Sequence, residues 1–271
     1  MYTFAATSLL LILAIAIQHQ RGVRNRRIVK AFEKIRWTYI DLQHLASLLN
    51  DPQISAEKIQ QQCEVVVDKI AKALSEVAGA NCSACIKLVE NDFGSQDGTP
   101  VRPRVTTLCR DDSSRHRDLA ASAVDHWIDQ NTAFKKLFEN LGTASPDYYF
   151  CNDLTKEKNY ENTSIPQKWK PQDSHIPLLR NHYRRKKWPL PYRSTVVFRI
   201  AGVAPNSGDH RATICGFLCA DSKGTGIFDK DHDLEILKSI AGCLYQSVQR
   251  YSTIQTETKS RREKHESAGQ Q

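Results

Sequence analysis

The chain opens on an apolar run. From Met1 to Ile17 no side chain carries a charge, and Leu9 to Ile17 is unbroken before Gln18-His19-Gln20-Arg21. A helix that crosses a bilayer needs about 17–25 such residues. Residues 1–20 are therefore predicted as a short transmembrane anchor. A signal peptide and a buried helix are the alternatives, but a signal peptide carries its positive charge before the apolar run, and here the charge follows. Further on the pattern turns periodic. Phe32, Ile35, Ile40, Leu42, Leu45, Leu48 and Leu49 keep mostly helical spacing until Asn50-Asp51-Pro52 stops them. This predicts a helical stalk within 21–54. Ser55 can cap a second helix, in which Ile59, Cys63, Val66, Ile70, Leu74 and Val77 form one apolar stripe, with Gly79 as its stop. The stripe either packs on its own domain or joins two copies.

After Gly79 the period shortens. Cys82 to Glu90 and Arg104 to Cys109 read as two strands around a Gly-, Asp- and Pro-bearing loop. Leu119 to Leu141 reads as a helix, and Pro146 to Arg193 as a long irregular stretch. Ser194 to Ala201 and Ala212 to Ser222 read as strands. Phe228 to Asp233 opens a final helix with Leu234, Leu237, Ile240, Ala241, Leu244 and Val248 on its apolar side. The polar tail 252–271 has no stripe and is expected to be a frayed extension and then disorder.

Composition narrows the class. Of 271 residues 40% are hydrophobic, with only 12 Gly and 10 Pro, which excludes collagen-like and wholly disordered chains. Eight cysteines are too dilute for a disulfide scaffold. The net charge of +8 is concentrated in two places. Arg21, Arg24, Arg26, Arg27 and Lys30 form one acid-free cluster. Arg180, Arg184, Arg185, Lys186, Lys187 and Arg193 form the other, so the remaining chain is mildly acidic. By the positive-inside rule the first cluster stays in the cytoplasm. The expected protein is single-pass in the cytoplasmic (inner) membrane, with its N-terminus out, its body in the cytosol and its cysteines reduced.

Gly216-Phe217-Leu218-Cys219-Ala220-Asp221-Ser222, followed by Phe228, Asp233 and the helix Leu234 to Val248, resembles a GAF domain. Ser194 to Ile200 matches the strand before it, and the resemblance spans about 55–251. It implies an α+β, GAF/PAS-like fold: a central antiparallel sheet flanked by helices, here preceded by the anchor and stalk. It implies that the terminal helices pack together on one face and often dimerise, which gives a homodimer through helices 55–78 and 229–251. Tethering to one membrane favours this by raising local concentration. It places any ligand on the opposite face, under a variable lid, here 142–193. The Asn-Lys-Phe-Asp-Glu signature of cyclic-nucleotide GAF domains is not present as a set, so no cyclic nucleotide follows. The ligand and any cofactor are left unidentified.

Candidate ligand residues gather at the start of the lid. Tyr148, Tyr149, Cys151 and Asp153 put aromatic faces beside hydrogen-bonding groups, which suits a planar ligand. They can equally close the core. Arg199 sits among apolar strand residues and faces either solvent or the pocket as an anion partner. Arg184, Arg185, Lys186, Lys187 and Trp188 mix cations with an aromatic ring, which suits anionic lipid or nucleic acid as well as a solvated loop. Cys82 and Cys85 lie three apart on a strand and point to opposite faces. Cys215 and Cys219 share a face on a regular strand but lie roughly 13 Å apart. No metal site is expected. Cys151, near cations, is the candidate reactive thiol. No His-x-x-x-His, phosphate loop or nucleophile elbow occurs, so the chain is expected to be a non-enzymatic sensor that signals through a separate protein. A membrane-tethered scaffold with a basic lid, or a thiol redox sensor, are the alternatives.

Overall fold

The computed structural model describes residues 2–90, 102–117, 126–141, 143–166, 186–203 and 212–268. Side chains are described from Gly22 onward, except Arg24, Val203, Ala212 and residues 262–268. Helix α1 runs without a break from Tyr2 to Leu48 and turns back at Asn50 into α2, Ala56–Ala78. The α2 ends are set as the sequence predicts. The Ser55 hydroxyl accepts the Lys58 N–H, and Gly79 closes the helix at φ 63°, a left-handed conformation that suits glycine. The Arg27 guanidinium lies against Gly79, a cation at the negative end of α2.

The α2 stripe is buried in its own chain. Ile59, Cys63, Val66, Ile70 and Leu74 are at most 1% exposed, packed among Leu42 and Leu45 of α1 and the sheet. α1 fits over the stripe because an ion pair between Lys69 and Asp41 and one between Lys34 and Glu76 (3.5 Å) flank the seam. Two copies cannot meet through that stripe while α1 covers it. The large apolar side chains left exposed on α1 are Val29, Phe32, Trp37 and Ile40. Among the described residues no helix is long and apolar enough to cross a membrane. The side chains of the predicted anchor, 1–20, lie outside the described residues.

Five antiparallel strands follow: β1 Cys82–Glu90, β2 Arg104–Arg110, β3 Tyr148–Cys151, β4 Ser194–Val203 and β5 Ala212–Ser222, in the order β2-β1-β5-β4-β3. The expectation of a central antiparallel sheet with the terminal helices on one face describes this arrangement. α1, α2 and the last helix cover one face, where Ile86, Phe198, Ile200, Leu218 and Leu244 are fully or almost fully buried. A second core cluster lies on the other face, around Phe217, Leu137, Ile128 and Leu154.

Three segments depart from expectation: Tyr148–Cys151, within the stretch expected to be irregular, is the edge strand β3, and two helices differ in extent. The helix predicted over 119–141 is interrupted at residues 126–131, and a helix runs again from Thr132. Before it, Trp127 bridges to Arg104 and Ile128–Gln130 make a single 3-10 turn, which leaves α3 as Thr132–Glu139. Asn131 interrupts the pattern, because its side-chain amide donates to the Trp127 carbonyl at 2.7 Å. Residues 119–125 of that prediction lie outside the described residues. The tail, expected as a frayed extension of the final helix and then disorder, is helical as far as Ala268, so α4 runs from Asp233 to Ala268. Its Glu, Lys, Arg and Gln are good helix formers, and no Gly or Pro interrupts them before Gly269. Arg250 donates to the Pro52 carbonyl (3.4 Å), so α4 leaves the body beside the α1–α2 turn. α1 extends beyond the body at the Gly79 end, so the two helices project from opposite poles.

Candidate functional site

Side chains alternate across a strand, so one face of this sheet can be dry and the other chemically equipped. The rows of the second face follow from the register. One row reads Arg110, Cys85, Cys219, Val197, Tyr149. The row beside it reads Ser83, Asp221, Thr195, Cys151, and the row on the other side reads Thr107, Lys87, Phe217, Arg199. Three cations, three thiols and a carboxylate therefore lie on this face of the sheet, where apolar residues would be expected.

Their partners are specific. Lys87 is 8% exposed and donates to the Thr107 hydroxyl at 2.5 Å. The Arg117 guanidinium, from just after β2, grips Asp221 at 2.8 and 3.0 Å and reaches the Ser83 hydroxyl at 3.3 Å. Asp221 is pushed above the usual carboxylate range, because burial outweighs the opposing attraction of Arg117. Cys85 and Cys219 shift in opposite directions. The Cys219 thiol hydrogen-bonds Cys85 and lowers its pKa, helped by Arg110 and Lys87 and opposed by burial. Cys219 rises for the same hydrogen bond and for burial. Tyr160 and Tyr192 close the edge of this group. Burial lifts Tyr160 to about 12, and the Tyr192 hydroxyl accepts from the Asn162 amide at 3.3 Å.

The predicted ligand residues are divided by this geometry. Tyr149 is on the equipped face, 8% exposed, with Lys136 over its ring at 5.4 Å and Tyr160 at 6.4 Å. Tyr148 is its strand neighbour and so points the other way, onto Phe198 at 5.5 Å in the dry core. Cys151 lies on the equipped face, but burial raises its thiol to about 11, the opposite of an activated thiol. Its sulfur faces Glu157 at 3.8 Å rather than a cation. Asp153 accepts the Thr155 hydroxyl and pairs with Lys156 at 3.7 Å, which ties it into the turn at 154–156.

Arg199 takes neither expected role. Its guanidinium donates to the Asn140 carbonyl at 3.1 Å and the Leu137 carbonyl at 3.4 Å, so it caps the end of α3. That bond holds α3 on the sheet, where Phe134 stacks on Phe217 at 4.8 Å. In the basic patch, Trp188 donates its indole N–H to the Tyr192 carbonyl at 2.7 Å, and its ring is half-buried against the second core cluster. Lys186 and Lys187 are exposed, and Arg184 and Arg185 lie outside the described residues.

The cysteine geometry also changes. Cys82 and Cys85 do point to opposite faces. Cys215 and Cys219 do not share a face, because β5 carries a bulge. Ile200 pairs with Gly216 but Ala201 pairs with Ile214, so Cys215 is the extra residue. It turns to the helix side and meets the Ile200 carbonyl at 3.3 Å. Gly216 makes the bulge possible, since a Cβ there would collide with the Lys87 carbonyl. The sequence reading missed Cys85 with Cys219, Lys87, Arg110 and the Arg117–Asp221 pair. Its available signal was a Lys and an Arg inside otherwise apolar strands.

No protein-family model matches the chain, and no curated protein matches it. Solved structures do. It is similar to the GAF domain of an Acinetobacter phosphoenolpyruvate-protein phosphotransferase (8% identity, 82% of this chain and 95% of that one, TM-score 0.44). It is similar to the type II free methionine-R-sulfoxide reductase of Thermoplasma acidophilum (12%, 71% and 96%, TM-score 0.40). The phycoerythrobilin-bound GAF domain of a cyanobacterial phytochrome is similar to the same degree (10%, 80% and 96%, TM-score 0.40). None of the three carries an activity over to this chain.

Proposed function

We propose that the chain is a membrane-anchored GAF-type binding module whose equipped sheet face takes a small anionic ligand. The observation that supports this is the placement of Lys87 on β1, Arg110 on β2 and Arg117 just after it along one face of the sheet, with Arg117 paired to Asp221. Buried charge opposes folding unless it is paired. Cations gathered along that face suit a ligand that brings carboxylate or phosphate oxygens. Tyr149, Tyr160 and Trp188 cluster at the β3 end of the same face and supply apolar surface there.

The anchor is residues 1–20, with the Arg21–Lys30 cluster on its cytosolic side. The part of α1 before Arg21, residues 2–20, spans roughly 28 Å at about 1.5 Å per residue, close to the about 30 Å hydrocarbon core of a bilayer. Signal then passes to another protein.

The test is a thermal-shift screen of the full-length protein in detergent against nucleotides, dicarboxylates and sugar phosphates. A ligand at 100 times its Kd stabilises by about 2.7 kcal/mol. Anionic compounds should stabilise the wild-type protein and not Lys87→Met. Stabilisation only by neutral compounds, or by none, would sink the reading.

A further inference from the structure

Of the eight cysteines, Cys85 and Cys219 are distinguished by position before chemistry. They are direct cross-strand partners on β1 and β5, on the same face, 3% and 7% exposed. Ala84, the preceding residue, directs its backbone groups the other way. Its carbonyl accepts from Asp111 N–H at 3.1 Å, and its N–H donates to the Asp111 carboxylate at 2.9 Å. In an antiparallel ladder the neighbouring residue then faces β5, so Cys85 and Cys219 form a hydrogen-bonded pair with Cα atoms about 5.5 Å apart. Disulfides most often span about 5.5–6 Å between Cα atoms. The Cβ atoms of a disulfide lie about 3.5–4.5 Å apart, closer than the roughly 5.5 Å of a hydrogen-bonded pair, so closing the bond draws the two strands together and leaves it strained and readily reduced.

We propose that Cys85 and Cys219 are a peroxide-oxidisable dithiol: a hydroperoxide oxidises Cys85, and Cys219 resolves it to a cross-strand disulfide. In the first step the Cys85 thiolate sulfur attacks one peroxide oxygen. An S–O bond forms, the O–O bond breaks, and the departing oxygen takes a proton to leave as water or alcohol. The sulfur loses two electrons and the peroxide gains them. In the second step the Cys219 sulfur attacks the Cys85 sulfenic sulfur. The S–S bond forms, the S–O bond breaks, and hydroxide leaves as water with the Cys219 proton. Two thiols and one hydroperoxide become one disulfide, one alcohol or water, and one water.

The surroundings favour this pair over the other thiols. Arg110 is the cross-strand neighbour of Cys85 on its other side, and Lys87 lies two residues along the strand. Both stabilise the thiolate, which is the form that attacks. Burial pushes Cys63, Cys82 and Cys215 up to about 12, Cys151 to about 11, and Cys109 upward as well, so those thiols stay protonated at neutral pH. Cys243 on α4 is exposed and is the natural competitor. In a reducing compartment a disulfide between edge-to-edge strands is reversible rather than structural. Forming it removes the thiolate beside Arg110 and Lys87, which makes the equipped face more positive.

The experiment uses the full-length reduced protein, hydrogen peroxide near equimolar, and peptide mapping without reductant. The expected product is a peptide from β1 linked to one from β5, lost on treatment with dithiothreitol. Cys219→Ser should stop at a Cys85 sulfenic acid that dimedone traps. Cys243→Ser, chosen because it lies outside the pair, should give the wild-type link. A linked peptide through Cys243 in place of Cys85–Cys219, or Cys85 recovered as free thiol or only as sulfinic acid in the wild-type protein, would overturn the proposal. Mapping the wild-type protein alone decides the matter if a variant fails to fold. It does so whether or not any anionic ligand is found.

Discussion

The two faces of the sheet are made by the same strands and follow different rules. The helix side buries Ile86, Val196, Phe198, Ile200, Leu218 and Ala220 with no charge among them. The opposite side carries Lys87, Arg110, Arg199 and Asp221 on the same backbone, alternating residue by residue with the dry set. The first arrangement maximises apolar burial and stability. The second costs stability, because every buried charge needs a partner. Where a fold accepts that cost on one face only, the equipped face is the one to search for function.

The difference can be broken from the dry side first. Phe198→Ala should lose about 3–5 kcal/mol, since it empties a fully buried ring site beside Tyr148. A denaturant curve checks it, and a loss under about 1 kcal/mol would mean that the dry core repacks freely. On the other side, Arg117→Ala should cost about 3 kcal/mol by leaving Asp221 buried and unpaired. Removing both charges with Arg117→Met and Asp221→Leu sharpens the contrast. The double variant should fold within about 1 kcal/mol of the wild type or better, and should no longer respond to anions. A large loss would show that the pair is there for stability.

Smaller effects probe how the faces are kept apart. Gly216→Ala forces a Cβ against the Lys87 carbonyl and should cost about 1–3 kcal/mol through strain at the bulge. Near-neutral melting would refute the need for glycine there. Ser55→Ala removes the cap of α2, remote from both faces, and should cost about 1 kcal/mol with anion response intact. Loss of that response would couple the helix hairpin to the equipped face.

Much of the fold was legible because it is local. The α2 stripe, its Ser55 and Gly79 ends and both central strands follow from spacing and caps. The alternation of β1 correctly sent Cys82 and Cys85 apart. What was not legible depends on which strands become neighbours. Cys85 and Cys219 are far apart in sequence, and only the order β1-β5 makes them partners. The face of Cys215 could not be read, because one inserted residue reverses it and no residue type announces a bulge except Gly216. Arg199 looked available to a ligand because the α3 carbonyls it caps were folded into a longer predicted helix. Adjacent Tyr148 and Tyr149 could not both serve one site, a consequence of the same alternation that was applied to the cysteines.

The strand order has a further consequence, for synthesis. β1 can pair with β2 as soon as both leave the ribosome, but its other neighbour, β5, follows about 120 residues later. At about 5–20 residues per second that is a delay of roughly 6 to 24 s. Throughout it the nascent chain holds β1 with one open edge, a template for pairing with a neighbouring chain. Translation that stalls before residue 212 therefore yields a product with half a sheet and no means of closing it. Chaperone demand and aggregation of truncated products should both rise sharply for chains that end between 110 and 212, and fall again once β5 and α4 have emerged.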